Sequence, residues 1–150
     1  MLACLSANAA YATKPCQAPD TSWFLEHVVK PSDTVVYARI LDYSKGTDTS
    51  ENNWTVIHVV KVLHGSDATP PALRINAWQA DFYPLYTYKK GDYVVLWLKQ
   101  DKQAYTITDL DWAYCVPSVW SAKSNETAYD IRSNQPVSLK EIELLIAATL

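Results

Sequence analysis

Glycine is scarce in this chain of 150 residues, which has only Gly46, Gly65 and Gly91. Glycine-rich loops hold phosphates in nucleotide sites, and glycines flank the nucleophile of many serine hydrolases. None of the patterns GxGxxG, GxxxxGK or GxSxG can be formed from three glycines spaced so far apart. The sequence therefore gives no basis for a dinucleotide site, a phosphate-binding loop or the serine-hydrolase nucleophile motif.

The chain also lacks a surplus of basic residues and a long apolar run. Thirteen Lys and Arg against sixteen Asp and Glu give a net charge of −3, which leaves no excess positive charge for a phosphate backbone. No apolar stretch reaches the roughly 18 to 20 residues that cross a bilayer. We therefore expect neither a nucleic-acid partner nor a membrane span.

Histidine is equally rare, with His27, His58 and His64 the only imidazoles. His58 and His64 lie six residues apart along one predicted strand, which separates them by roughly 20 Å if the strand is straight. The spacings HxH, HExxH and CxxC, which are typical of metal sites, do not occur. We expect no metal and no cofactor.

Asp109 and Asp111, which flank Leu110, are a carboxylate pair at a spacing of two residues. Two carboxylates at this spacing could face one cleft and act as the acid and the base of a hydrolase. No other catalytic motif surrounds them, and the end of a strand followed by a turn explains them as well. We therefore expect no catalytic residues and no enzyme, and we keep the hydrolase as a minor alternative.

Apolar and aromatic residues are plentiful, with 49% hydrophobic residues, six Trp and ten Tyr. This content predicts one folded domain with one core. Asp20 and Thr21 can cap a short helix over residues 22–30. Runs of β-branched and aromatic residues with period two predict five strands: 34–43, 53–63, 72–78, 93–99 and 104–110. The predicted fold class is mainly β, a five-stranded barrel like that of oligonucleotide/oligosaccharide-binding domains.

The C-terminal part differs from the rest of the chain in its composition and in its hydrophobic pattern. Residues 116–137 are polar and show no sustained period. Ser138 and Glu141 then form a capping box, and the apolar stripe that follows predicts a helix that packs on the barrel.

The first twelve residues, MLACLSANAAYA, are uncharged and end in the small-x-small pattern that signal peptidases cut. Residues 1–12 therefore look like part of a signal peptide, and residues 13–150 form the mature domain of a secreted or periplasmic protein. The segment is short for a signal peptide, so an upstream start or an ordinary frayed terminus stays open. Lipidation of Cys4 is a further alternative.

Removal of residues 1–12 would leave two cysteines, Cys16 and Cys115. An even pair in a secreted chain predicts a disulfide, and two buried free thiols are the alternative. On the chain-entropy model, closing a loop of roughly 100 residues stabilises a fold by about 4 to 5 kcal/mol.

The aromatic segment, residues 78–88, is the most unusual local feature of the sequence. It contains five rings in eleven residues: Trp78, Phe82, Tyr83, Tyr86 and Tyr88. Tyr and Trp dominate the energetics of interfaces, so we predict that these five residues form a binding surface. The competing interpretation is that the rings cover one open end of the barrel.

Three stretches together resemble the netrin-like domain family, which includes the inhibitory domains of the tissue inhibitors of metalloproteinases. They are Cys16 with the helix and strand that follow it, the Val-rich run 56–65, and Lys90-Gly-Asp-Tyr-Val-Val-Leu. Cys115 lies where that family has a late Cys. The resemblance covers about residues 16–115, and it implies the five-stranded barrel more strongly than it implies any activity.

The chain departs from the inhibitors of this family at the N-terminus. Those inhibitors begin with a Cys whose amine and carbonyl chelate the zinc of the enzyme, and they carry Cys-x-Cys. Here Thr13, Lys14 and Pro15 precede Cys16, and Gln17 and Ala18 follow it. The sequence therefore predicts a non-catalytic binding module with a protein partner, and a protease inhibitor that acts through its loops is the alternative.

Overall fold

The computed structural model describes residues 17–44, 54–66, 68–76, 88–108 and 116–150. Its eight strands form one sheet. In chain order they are β1 (Thr34–Tyr43), β2 (Trp54–His64), β3 (Ala72–Asn76), β4 (Tyr93–Asp101), β5 (Ala104–Ile107), β6 (Val119–Ala122), β7 (Thr127–Tyr129) and β8 (Pro136–Ser138).

The first five strands close into a barrel. β1, β2 and β3 form an antiparallel meander, and β4 lies antiparallel along the other edge of β1. β5 then pairs antiparallel with β4 and parallel with β3, where Ile75 lies opposite Tyr105. Irregularities in the β1–β2 register, beginning between Val35 and Val36, bend this long pair. The predicted five-stranded barrel is confirmed.

Alternation along β1 and β4 divides the buried residues between two cores. Val36, Ala38 and Ile40 of β1 point into the barrel, together with the even-numbered residues of β4 from 94 to 98. Val35 and Tyr37 point the other way, into a second core on the outside of the barrel. Both faces of these two strands are therefore buried.

A short helix near the N-terminal end of the described chain covers this second core. α1 (Thr21–Phe24) begins at Asp20, whose carboxylate accepts a hydrogen bond of 2.7 Å from the backbone N–H of Trp23. The chain continues as one π-helical turn over Leu25–Val29, closed by a hydrogen bond of 2.9 Å from Lys30 N–H to the Leu25 carbonyl. The predicted helix is thus present, with a widened second half.

The C-terminal helix α2 (Leu139–Thr149) closes the other side of the second core. Its capping box forms as predicted: Ser138 N–H donates to the Glu141 carboxylate at 2.6 Å, and Glu141 N–H donates to the Ser138 hydroxyl at 3.2 Å. Leu139, Ile142 and Ile146 are buried. In the part of the chain that the structure describes, no helix is long and apolar enough to cross a membrane.

Strands β6, β7 and β8 are not predicted from the sequence. They have only three or four residues each, which is too short for a period of two to stand out. β6 pairs with β4, and β7 and β8 extend the sheet beyond it. The polar stretch 116–137 therefore adds a small three-stranded extension beside the barrel.

Candidate binding site

Most of the residues singled out by the sequence lie outside the described part of the chain. These are Trp78, Phe82, Tyr83 and Tyr86 of the aromatic segment, the cysteines Cys16 and Cys115, and the carboxylates Asp109 and Asp111. The predicted surface, disulfide and hydrolase pair therefore stay predictions. Tyr88, the last ring of the aromatic segment, is described, and it lines a cleft of about 320 Å³.

The cleft lies beside the point where the pairing of β6 and β7 ends. The two strands pair antiparallel at Ala122 and Ala128. In that register Ser121 would lie opposite Tyr129 as the next pair. Both of these residues line the cleft. The cleft therefore lies at the end of the β6–β7 hairpin that is farther from its turn.

Rings and uncharged polar groups make up most of the cleft wall. The lining residues are Gln17, Ala18, Tyr88, Trp120, Ser121, Tyr129, Asp130, Ile131 and Asn134. Tyr88 and Tyr129 are half-buried, so each presents part of its ring, whereas Trp120 is 1% exposed and lies at the bottom. The site therefore combines apolar contact area with hydroxyl and carboxamide groups at its edge.

Asp130 is the one acidic residue in the described wall, and its charge is already matched. Arg132 Nε lies 3.0 Å from Oδ1 and 3.2 Å from Oδ2, and Nη2 lies 2.6 Å from Oδ2. The backbone N–H of Arg132 also donates to Oδ1 at 2.8 Å. Because both oxygens of this buried carboxylate accept hydrogen bonds from a guanidinium, Asp130 presents no free charge to the cleft.

Tyr88 joins the cleft to the barrel. Its ring packs against the barrel core, and its phenol shares a hydrogen bond with the side chain of Ser121. Burial raises the pKa of this phenol, and the hydrogen bond with Ser121 opposes part of the rise. At neutral pH the phenol is therefore protonated and can both donate and accept a hydrogen bond.

The raised pKa predicts a loss of stability in alkali. An unfolded chain releases a tyrosine proton near its ordinary pKa of about 10, whereas folded Tyr88 keeps its proton to a higher pH. The free energy of unfolding should thus fall as the pH rises above about 10. Urea unfolding at several alkaline pH values should show a shallower fall for Tyr88→Phe than for the original chain. An equal fall in both would contradict the burial of this phenol.

The bottom of the cleft rests on an aromatic cluster in the second core. Phe24 lies 5.4 Å from both Trp97 and Trp120, measured between ring centroids, and the two indoles are 5.5 Å apart. The indole N–H of Trp120 donates to the Pro117 carbonyl at 2.9 Å. Trp97 Nε1 is buried with no hydrogen-bond partner in the described part of the chain. Packing of large rings therefore fixes the cleft wall at Trp120.

The structure does not bring the histidines together into one group. His27 stacks on Trp23 with ring centroids 4.6 Å apart, and His58 and His64 both lie on β2. Over the described ranges, no group of three or more His, Cys, Asp or Glu side chains is placed to hold a metal ion.

Comparison of the chain with protein-family models, with curated proteins and with solved structures gives no match. The resemblance to netrin-like domains therefore stays a prediction from the sequence.

Tyr88 could be singled out from the sequence, whereas the residues that the polar stretch 116–137 contributes to the cleft could not. Ser121, Tyr129 and Asn134 are separated along the chain, and a site emerges only when β7 turns back beside β6. One signal was available: Asp130, Ser133 and Asn134 are typical turn residues. Together with the alternation of residues 127–129, they could have indicated a turn between two short strands.

Proposed function

We propose that this chain is a secreted or periplasmic, non-catalytic binding module whose partner is a protein. The partner contacts the cleft and the aromatic segment that ends at Tyr88. The observation that carries this proposal is that Tyr88, the last residue of the segment predicted as a binding surface, lines the cleft.

The chemistry of the cleft favours a protein partner. Tyrosine rings give a large contact area at a low cost in side-chain entropy, and they are enriched among residues that contribute most to binding. Tyr88 and Tyr129 are held at the cleft by packing and by strand pairing. Such preorganised rings lose little freedom when a partner docks.

The same geometry supports a role without catalysis. A general base needs a carboxylate that can accept a proton from a substrate. Asp130, the carboxylate in the described wall, already accepts hydrogen bonds from Arg132 at both oxygens. Its role is to fix the turn that follows β7.

The netrin-like character and the export of the chain are part of the same proposal. The closed five-stranded barrel with a short helix before its first strand is the architecture that the resemblance implies. The leader-like residues 1–12 and the pair Cys16 and Cys115 support export to an oxidising compartment.

A blocked cleft and a matched control test this proposal. Ser121 is exposed at the cleft, and Ser124 is exposed on the turn of the same hairpin, away from the lining residues. We expect Ser121→Lys to place a long charged side chain in the cleft and to weaken capture of the partner from a native extract or culture fluid by about tenfold or more. Ser124→Lys should capture as well as the original chain.

Ser124→Lys should melt within a few degrees of the original chain, because it replaces an exposed side chain. Ser121→Lys also loses the hydrogen bond with the Tyr88 phenol and should be less stable by about 1 kcal/mol. Equal capture of the same protein by all three chains would overturn the proposed site. Capture of no protein at all by the original chain, in extract and in culture fluid, would overturn the function.

A further inference from the structure

We infer that the outer face of β1, β2 and β3 binds an extended segment of the protein partner in which two carboxylates flank an apolar side chain. This basic face consists of Arg39 on β1, Val56 and His58 on β2, and Arg74 on β3. The inference rests on the proposed function, because its occupant belongs to the same protein partner. It adds a second contact surface and the chemistry that this surface would recognise.

The strand register places the three cationic side chains on one side of the sheet. Arg39 lies opposite His58 in the β1–β2 pair, and Val56 lies opposite Arg74 in the β2–β3 pair. Side chains directly opposite each other in antiparallel strands share a face. Ile57, between the two β2 residues, is buried in the barrel core, so Val56 and His58 point outward. Arg39, His58 and Arg74 are therefore neighbours on the outer surface, and all three are exposed.

The two arginines of this face are held in place by groups other than carboxylates. Arg39 Nε donates to the Gly91 carbonyl at 3.3 Å. The Arg74 guanidinium lies 5.6 Å from the centre of the Trp54 ring. In the described ranges neither of them forms an ion pair, whereas Arg132, the third arginine of the chain, pairs with a carboxylate. Both guanidiniums thus keep N–H groups free for a carboxylate of a ligand, which they can bind through two parallel hydrogen bonds.

The remaining groups of the surface favour a protein segment over a nucleic acid. Asp42 lies opposite Val56 on the same face, and its carboxylate is 2.9 Å from the ammonium of Lys90. A nucleic acid carries a negative charge at every nucleotide, so a phosphate beside Asp42 would be repelled. A protein segment can place carboxylates only at Arg39 and Arg74 and an apolar side chain over Val56. The alternation of charged and apolar groups on the face therefore matches an acidic and apolar peptide.

The register also sets the spacing of the two carboxylates. Arg39 pairs with His58, which pairs with Ala72, and Arg74 is two residues farther along β3. With about 4.8 Å between strands and about 3.4 Å per residue, the Cα atoms of the two arginines lie roughly 12 Å apart. Residues i and i+4 of an extended segment face the same side and lie about 13 Å apart. Residue i+2 faces that side midway between them, over Val56 and His58. The expected partner pattern is therefore Glu-x-apolar-x-Glu, with Asp equally suitable in place of Glu.

The basic face lies close enough to the cleft for one partner to contact both. Strands β6, β4 and β1 are neighbours, in that order, at Ala122, Tyr93 and Arg39. Ser121, which lines the cleft, precedes Ala122 in the chain. The two surfaces are thus separated by two strand spacings, or about 10 Å.

The experiment measures binding of a fluorescein-labelled peptide, Gly-Ser-Glu-Ser-Leu-Ser-Glu-Ser-Gly, to the purified full chain by fluorescence anisotropy at low ionic strength. One control peptide has Gln in place of both Glu, and another has the same composition with the two Glu adjacent. We expect saturable binding that is about tenfold tighter than that of the Gln peptide and about threefold tighter than that of the rearranged peptide. Added salt should weaken the binding, because the charges on this face are exposed.

Single substitutions locate the site. Arg39→Gln and Arg74→Gln should each weaken binding of the acidic peptide by about threefold to tenfold. Lys140→Gln, at an exposed lysine of α2, removes the same amount of charge elsewhere and should bind as the original chain does. All three variants replace exposed side chains and should melt within a few degrees of the original chain.

A charge reversal tests the chemistry of the contact. The double variant Arg39→Glu with Arg74→Glu should lose binding of the acidic peptide. It should instead bind the peptide with Lys in place of both Glu, about tenfold more tightly than the original chain does. Failure of the double variant to prefer the Lys peptide would contradict a contact between these arginines and two carboxylates.

Three further results would overturn the inference. They are equal binding of the acidic and Gln peptides, a loss of binding in Lys140→Gln as large as that in Arg39→Gln, and tighter binding of a labelled single-stranded octathymidylate than of the acidic peptide. If the acidic peptide does not bind while Ser121→Lys still abolishes capture of the protein partner, the inference fails and the proposed function stands. If the peptide binds as expected and capture is independent of Ser121, the proposed cleft fails and the basic face remains as the contact surface.

Discussion

Replacing Arg132 with methionine should lower the free energy of unfolding by about 3 kcal/mol, at the lower end of the range of about 3 to 5 kcal/mol for breaking a buried ion pair. The change leaves the Asp130 carboxylate buried without its guanidinium partner. The lower end is appropriate because the Arg132 side chain is 21% exposed and its backbone N–H still donates to Asp130. Urea unfolding at neutral pH measures the effect.

A double substitution separates the unpaired charge from the loss of the side chain. Asp130→Asn together with Arg132→Met removes both charges, so the double variant should recover a large part of the stability lost by Arg132→Met alone. The guanidinium also lies 5.5 Å from the centre of the Phe24 ring, and that contact would not return. A double variant that is less stable than the single one would show that burial of an unpaired carboxylate is not the cause.

Truncating Phe24 to alanine should cost about 3 to 5 kcal/mol, the usual range for a buried phenylalanine. Its ring contacts both indoles of the second core, so the variant leaves a cavity between Trp97 and Trp120. Thermal unfolding followed by tryptophan fluorescence reports on the rings that lose their neighbour.

The matched control is Leu144→Ala on α2, where the leucine is 60% exposed. We expect this change to stay within about 0.5 kcal/mol of the original chain. A Phe24→Ala variant as stable as the control would mean that α1 does not seal the second core.

The barrel could be predicted because its strands carry the signal locally. Along β1, Val36, Ala38 and Ile40 repeat with period two, and β4 repeats the pattern over 94–98. Both strands are nine or ten residues long, so the alternation is read over several cycles. A shift of the strand pairing by one residue would turn all of these side chains to the other face of the sheet. The alternation therefore also determines which residues face the barrel interior.

Of the residues that line the cleft, only Tyr88 could be predicted from the sequence. Tyr88 stood out because it belongs to a dense run of rings, whereas Ser121 and Tyr129 become neighbours through pairing at Ala122 and Ala128. That pairing joins strands of four and three residues. A contact set by such short strands depends on what packs beneath them, here Trp120 and the aromatic cluster, and a local pattern does not contain this information.

Burial of both faces of β1 and β4 also determines how the molecule unfolds. Val36 and Leu96 face the barrel, while their chain neighbours Val35 and Trp97 face the second core. Neither core can be exposed to water without disturbing the strands that hold the other, so the two are thermodynamically coupled. We therefore expect barrel, extension and α2 to unfold in a single cooperative transition, and the amides of β1 and β4 to be the slowest to exchange with solvent.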